Sequence, residues 1–280
     1  MSATPPAKMT QAEKGRVFRA LHERDRAFII PNPWDIGSAR LLAHAGFEAL
    51  ATTSAGYAFS VGQQDTTINR DEMIAHVAKI ARATDLPVNA DLENGYGDSP
   101  DEAAETIRLA AHAGAVGGSI EDATGNADHP IYDHAHAEDR IRAAAELARA
   151  LPFTFTLTAR AENYLHGRAD LKDTIKRLQA FQEAGANVLY APGLTRKEDI
   201  TAVVSSVDRP INVLAGLSGA PLTLTDLSAL GVKRISIGSA LSRAAYGAAI
   251  RAAAEMRERG TFTFADQAVS FRDLSAIFKA

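Results

Sequence analysis

The feature that most constrains this chain is a repeated alternation of short apolar segments with longer helical segments. Eight such pairs follow one another at fairly even spacing, from an apolar run at 27–30 to a helical stretch at 238–257. Each pair predicts one β-strand followed by one α-helix, and a series of such pairs forms a parallel sheet. Eight pairs predict an α/β fold of the closed (β/α)8 TIM-barrel type rather than an open, doubly wound sheet.

The predicted elements are bounded by helix caps and by glycines. The phrases AHAGFEAL, AHAGAVGG and QEAGANVL place Ala-Gly where a helix ends and the chain turns back into a strand. We predict strands at 27–30, 48–53, 86–90, 117–121, 153–159, 187–190, 210–214 and 234–237. We predict helices at 10–24, 36–45, 70–84, 100–113, 137–150, 169–184, 196–206, 224–230, 238–257 and 264–278, and long loops at 54–67, 123–136 and around Gly216, Gly219 and Pro221.

Composition excludes several classes of protein. Of 280 residues none is cysteine, which rules out disulfides, thiolate nucleophiles and Cys-bound zinc. The net charge is −4 with no basic run, so neither a nucleic acid nor an anionic membrane surface is an expected partner. The first ten residues lack the apolar core of a signal peptide and predict a loose tail, and we expect a cytoplasmic protein. No shift in composition divides 1–280, so we expect one barrel domain with a C-terminal helical extension at about 239–280.

The stretch LPVNADLENGYG combines a predicted buried strand with two carboxylates at its end. Asp91 and Glu93 are two residues apart, so on an extended chain they face the same side. Carboxylates at the tip of a buried strand are costly to desolvate unless a cation binds them, and oxygen ligands suit Mg²⁺ or Mn²⁺. The alternative is that both are solvated loop carboxylates near a helix N-terminus.

Polar residues also follow the neighbouring predicted strands, where barrel enzymes carry their active sites. Glu121 ends strand four, and Asp122 beside it faces the other way, which favours a structural role. Arg160 ends strand five, ahead of Glu162, and suits a substrate carboxylate, or alternatively pairs with a neighbouring acid. Strand two leads to a small-residue turn and an acid across its loop: Thr53, Ser54, Ala55, Gly56 and Asp65.

Histidines in the loop at 123–136 are weak evidence for a metal site. His134 and His136 are separated by one residue without a third ligand nearby, which is poor evidence for zinc. We interpret the loop as a mobile lid in which His129 is a candidate general acid or base. Tyr57 is predicted to pack or to form part of the pocket wall.

Taken together, the motifs resemble the isocitrate lyase/phosphoenolpyruvate mutase superfamily over nearly the whole chain. The matching segments are NPWDIGSARLLAHAGFEALATTSAG, GQQD, NADLENGYG, SIEDATG and TARAENYL. The resemblance implies a Mg²⁺-dependent enzyme acting on a small 2-oxo or 2-hydroxy acid through an enolate. It also implies a homotetramer, a dimer of dimers in which the eighth helix (238–257) is swapped between subunits.

The resemblance also implies roles for individual residues. Asp91 would bind the metal directly, with Asp65 near it and Glu121 holding a metal-bound water. Arg160 would contact the substrate carboxylate, and amides of the turn Thr53–Ala55 would take the carboxylate and oxyanion.

Three departures from the superfamily pattern bear on function. Asn89 stands where many members have a first acid, and Glu93 is a candidate to replace its charge. The lid lacks the cysteine of isocitrate-type lyases, and Ala191-Pro192-Gly193 replaces a glutamate. We therefore expect a C–C lyase resembling an oxaloacetate decarboxylase or a substituted-malate lyase. A P–C bond enzyme and a non-catalytic oxyacid-binding protein remain alternatives.

Overall fold

The computed structural model describes residues 8–216 and 222–279, and its centre is an eight-stranded parallel sheet. The sheet order runs β1-β8-β7-β6-β5-β4-β3-β2, so the last strand pairs with the first. The remaining edge is bridged where the Ala51 N–H donates to the Pro31 carbonyl at 3.1 Å. The predicted (β/α)8 barrel is confirmed. The strands are β1 (Phe28–Ile30), β2 (Leu50–Ala51), β3 (Val88–Asp91), β4 (Gly117–Glu121), β5 (Thr156–Arg160), β6 (Val188–Tyr190), β7 (Ile211–Leu214) and β8 (Arg234–Ser236).

Helices alternate with the strands and begin at the residues that the capping patterns indicate. Thr10, Asn69 and Ser99 each accept a hydrogen bond from the backbone of a glutamate three residues later, whose side chain bonds back. The helices are α1 (Gln11–Leu21), α2 (Ile36–His44), α3 (Ser54–Ser60), α4 (Arg70–Ala83), α5 (Pro100–His112), α6 (His134–Ala150), α7 (Leu171–Ala184), α8 (Lys197–Ser205), α9 (Leu224–Ala229), α10 (Ala240–Arg259) and α11 (Phe271–Phe278).

Two segments predicted as loops are partly helical. The segment after β2 forms α3, because the Thr53 side chain accepts from the Gly56 amide and caps a run of small and aromatic residues. The lid prediction is wrong for His134 and His136, which lie in the first turn of α6. There His134 pairs with Asp173 at 2.6 Å and His136 contacts the Asp98 carbonyl at 2.7 Å.

The C-terminal region and the ends of the described segments differ from the prediction in other ways. The helix predicted at 264–278 divides into a 3-10 turn (Thr263–Gln267) and α11. Most of the tail predicted at 1–10, and Gly219 and Pro221 of the predicted loop, lie outside the described residues. No helix of the described residues is both long and apolar enough to cross a membrane.

The hydrophobic core lies between the barrel and the helices that surround it. Its main cluster joins β3–β8 to the inner faces of α5, α6 and α7, where alanines allow close packing. A second cluster, with Phe18, Leu21 and Phe28, closes the barrel on the side of α1. The opposite end, where the strands finish, is lined by polar residues and holds the candidate site.

Candidate active site

A cavity of about 140 Å³ occupies the carboxyl-terminal end of the barrel. The last residues of seven different strands are among those that line it, which is the usual position of active sites in this fold. Six residues predicted for the site are among them: Thr53, Ser54, Ala55, Asp65, Asp91 and Arg160.

Arg160 is the centre of the charged groups at this cavity. Its Nη1 lies 2.8 Å from Oδ1 of Asp91, and its Nη2 lies 3.0 Å from Oε2 of Glu121 and 2.7 Å from Oε1 of Glu162. The strand register explains the grouping, because Glu121 and Arg160 are opposite each other on β4 and β5. Although burial opposes it, the charges of Glu121, Glu162 and Asp91 raise the pKa of Arg160. The arginine therefore stays charged.

Asp91 is held from two sides, which fixes the direction of its carboxylate. Oδ2 accepts hydrogen bonds from the amide (2.9 Å) and the hydroxyl (3.0 Å) of Ser54, while Oδ1 accepts from Arg160. The Asp91 amide donates to the Thr52 hydroxyl at 2.8 Å and ties β3 to β2. The Ser54 amide, predicted to take a substrate oxyanion, is thus engaged by Asp91 in this structure.

Glu93 stands in a loop of unusual backbone conformation. Glu93 and Tyr96 have φ values of 48° and 58°, a backbone region that residues other than glycine rarely adopt. The Glu93 carbonyl accepts from the Glu121 amide at 3.0 Å, and Arg140 binds the carbonyls of Gly97 and Asp98 at 2.6 Å each. Strained residues held in this way by their surroundings are typical of ligand sites.

The acids around Arg160 outnumber the positive charge that balances them. Burial, and then the charge of Asp91, raises the pKa of Glu93 to about 8, and partial removal from water raises that of Asp65. Burial likewise raises the pKa of Glu121 well above its ordinary value, although Arg160 opposes this. Burial is the main cause of all three raised pKa values, and the charge of Arg160 offsets it only in part.

The donor set fits a hard divalent cation. Among residues 8–216 and 222–279, no three acidic or histidine side chains already surround one ion position. Three of the acids instead share Arg160. However, Oε1 of Glu93 is buried without any hydrogen-bond partner, close to the charges of Asp91 and Asp65. Mg²⁺ prefers oxygen ligands such as carboxylates. A buried carboxylate oxygen without a hydrogen-bond partner is free to bind it.

Four predicted site residues are absent from the cavity lining: Tyr57, Glu93, Glu121 and His129. Of these, Glu121 still reaches the site through its contact with Arg160. His129 is exposed in the loop between β4 and α6 and does not line the cavity, so its catalytic role stays a prediction. The Tyr57 ring stacks on His76 of α4, with centroids 3.9 Å apart, outside the cavity lining. Asp122 is buried against Arg177 at 3.0 Å, in keeping with the structural role expected for it.

Several residues in the cavity or beside it have no role in the sequence interpretation. Glu162 closes the group around Arg160, and Asn32 joins three strands by accepting from the amides of Ile237 and Gly238 and donating to the Thr52 carbonyl. Arg234 and Asn212 lie inside the barrel. The available signal was a polar residue inside an otherwise apolar strand, since in a closed barrel inward-facing positions alternate along each strand.

Comparisons with known proteins find similar proteins that span most of the chain. Residues 18–257 match the family model described as phosphoenolpyruvate phosphomutase. A crystal structure of a protein from Burkholderia cenocepacia J2315, assigned to the lyase/mutase class, is 64% identical with a TM-score of 0.95, covering 96% of this chain and 97% of that one. The 2-methylisocitrate lyase of Escherichia coli K12 is 29% identical over 78% of this chain and 75% of that protein. The oxaloacetate decarboxylase of Paraburkholderia xenovorans LB400 is 28% identical over 80% and 75%.

Proposed function

Because the chain belongs to the phosphoenolpyruvate phosphomutase family of enzymes, within the superfamily that its motifs resemble, we propose that it is a Mg²⁺-dependent carbon–carbon lyase. The substrate class is a small 2-oxo or 2-hydroxy carboxylic or dicarboxylic acid. One observation carries the proposal: Arg160, Asp91 and Glu121 meet at the end of the barrel. Glu93 is close to them, and its buried Oε1 has no hydrogen-bond partner. The activities named for the two curated relatives, a decarboxylase and a lyase, support cleavage of a C–C bond.

The acids supply the ligands in this proposal. Asp91 would hold Mg²⁺ (or Mn²⁺) directly, and Asp65, Glu93 and Glu121 would hold its waters. When bound, the ion supplies Lewis-acid stabilisation of the negative charge that an enolate oxygen develops.

The chain's other residues bind and orient the substrate. Arg160 would contact the substrate carboxylate through Nη1 once Asp91 binds the cation, and its contacts with Glu121 and Glu162 set the plane of the guanidinium. Ser54 and Ala55 line the same cavity, and their amides would complete the carboxylate site once Asp91 binds the cation and no longer accepts from Ser54. The enolate left by bond cleavage would be protonated by water or by a lid group. His129 is the candidate in the lid, and this role requires the loop to close over the cavity.

The family name favours P–C bond chemistry as a second candidate, in a phosphonopyruvate hydrolase or phosphonomutase. A non-catalytic oxyacid-binding role is a third candidate, motivated by the absence of His129 from the cavity lining.

A screen of C3 to C7 oxo- and hydroxy-acids with Mg²⁺, read by pyruvate or glyoxylate formation, tests the proposal. We expect turnover of at least one diacid and loss of metal-dependent turnover in Asp91→Ala. Asp101→Ala, an exposed acid in the first turn of α5, is the matched control and should behave as wild type. Phosphate release from phosphonopyruvate would select the second candidate, and tight oxalate binding without any turnover the third. Unchanged activity in Asp91→Ala would refute the metal role.

We also propose a homotetramer in which α10 packs on a neighbouring subunit. Within α10 only Ser242 and Glu255 are buried, whereas a barrel helix normally buries one face. Large apolar side chains from α10 to the end of α11 are exposed: Tyr246, Ile250, Met256, Phe262, Phe264, Val269, Phe271 and Leu274. Such a contiguous stretch is typical of a surface that another chain covers.

A further inference from the structure

Arg234 is a buried cation inside the barrel that no acid neutralises. It begins β8, and 3% of its surface is exposed. In the described part of the chain the groups that act on its charge are Tyr190 and Arg160, and no carboxylate is among them. The residues outside the described ranges carry no acidic side chain. An arginine placed in this way is costly, because removing an unpaired charge from water is strongly unfavourable.

Neutral side chains hold the guanidinium in one orientation. Its Nε donates to Oδ1 of Asn212 at 2.9 Å and its Nη2 donates to the Thr158 hydroxyl at 3.0 Å. Asn212 is itself fixed, since its Nδ2 donates to the Ser236 hydroxyl at 2.9 Å. The remaining nitrogen, Nη1, is buried and has no partner. The Arg234 guanidinium is therefore fixed in place, and its Nη1 is still able to donate to a further acceptor.

Burial lowers the pKa of Arg234 to about 9, so the side chain still carries its charge at neutral pH. The net effect is a positive group in a region of low dielectric, where an anion is bound far more strongly than at the surface.

Arg234 and Arg160 line the same cavity, at different depths. Arg160 is the last residue of β5, at the mouth, whereas Nη2 of Arg234 contacts the hydroxyl of Thr158, which lies two residues before Arg160 on the same strand. Two residues of strand correspond to roughly 6–7 Å along the barrel wall. Two cations that line one small cavity suit a short ligand with an anionic group at each end.

We propose that Arg234, oriented by Asn212 and Thr158, binds a second anionic group of the ligand and makes the site selective for dicarboxylates. This inference rests on the proposed function, because it takes Arg160 as the site of the first carboxylate. It narrows the substrate class from 2-oxo or 2-hydroxy acids in general to four- or five-carbon diacids.

Calorimetric titration with matched ligands in the presence of Mg²⁺ tests the inference. Malate and 2-hydroxybutyrate share a four-carbon 2-hydroxy acid skeleton and differ in whether C4 is a carboxylate or a methyl group. We expect wild type to bind malate at least about tenfold more tightly, as hydrogen bonds to charged groups are worth this much. Arg234→Met should remove the preference, and Arg234→Lys should retain part of it.

Asn212→Asp provides a second variant that changes the charge without changing the packing volume. The new carboxylate would pair with the guanidinium, so the malate preference should again disappear. Oxalate is the control ligand, because it is too short to extend from Arg160 at the mouth to Arg234. It should bind equally to wild type and to every variant that circular dichroism shows to be folded.

The outcomes separate this inference from the proposed function. If wild type binds oxalate but shows no malate preference, or keeps that preference in folded Arg234→Met or Asn212→Asp, the inference is overturned and the proposed function stands. If the preference depends on Arg234 but no acid is turned over, the anion site stands and the lyase proposal fails. If neither oxalate nor malate binds, both fail.

Discussion

At the scale of single residues, Arg160 determines the electrostatic balance of the site. Its guanidinium pairs with Asp91, Glu121 and Glu162, acids from three different strands or strand ends. The sequence interpretation left two roles for Arg160, pairing with an acid or binding a substrate carboxylate. The structure shows the first, and the second is compatible with it if a cation takes over Asp91 and releases Nη1.

Replacing Arg160 by Met should destabilise the metal-free protein by roughly 3–5 kcal/mol, because it leaves buried carboxylates without their partner. Denaturant unfolding in EDTA measures this loss, and calorimetry should show that oxalate binding is also lost. Arg108→Met is the control, since Arg108 forms a half-exposed pair with Glu105 whose removal should cost less than about 1 kcal/mol. Equal stability of the two variants would contradict the central role of Arg160.

At the scale of elements, α3 and the loop after β3 position the acids. The N-terminus of α3 brings the Ser54 amide and hydroxyl to Asp91. The loop after β3 carries Glu93, and Arg140 holds this loop through the carbonyls of Gly97 and Asp98. The stack of Tyr57 on His76 then fixes α3 to α4. A residue predicted for the pocket wall therefore supports the site indirectly.

The contact between α3 and α4 should make stability depend on pH. Burial lowers the pKa of His76 to about 4, so the unfolded chain takes up a proton before the folded chain does as the pH falls. The stabilisation is complete above about pH 6.5 and should be lost as the pH falls towards 4, by roughly 1–3 kcal/mol.

His76→Phe should keep the stack while removing the titration. Denaturant unfolding from pH 4 to 7 should show a flatter pH dependence for the variant than for wild type. His112→Phe is the control, because His112 is exposed at the end of α5. An unchanged pH dependence in His76→Phe would show that other groups cause the acid sensitivity.

At the scale of the whole molecule, the barrel is well packed, whereas the C-terminal region of the chain leaves large apolar side chains exposed. The core clusters include side chains of zero exposure on most strands, whereas Ile250 is 68% and Phe271 89% exposed. Since exposed apolar area of this kind is stabilised by burial in an interface, we expect α10 and the residues after it to hold subunits together.

Light scattering and sedimentation should show a tetramer at micromolar concentration. Ile250→Asp should shift the distribution to smaller species, because it places a charge in the proposed interface. Val17→Asp, on an exposed position of α1, is the control and should keep the wild-type mass. A monomeric wild-type protein, or a tetramer unaffected by Ile250→Asp, would refute the proposed interface.

The sequence alone determined the barrel, because eight strand–helix pairs with capped helices and Ala-Gly joints are local patterns that this architecture requires. It also placed Asp91, Glu121 and Arg160 at strand ends, and strand ends meet at one face of a barrel. It could not determine which charges pair, since Arg160 contacts acids up to 69 positions away in the chain. Nor could it show that Arg234 lacks a counter-charge, because that depends on what every other strand presents to the barrel interior. The tertiary structure decided those points, as desolvation and charge pairing are properties of neighbours in space rather than in sequence.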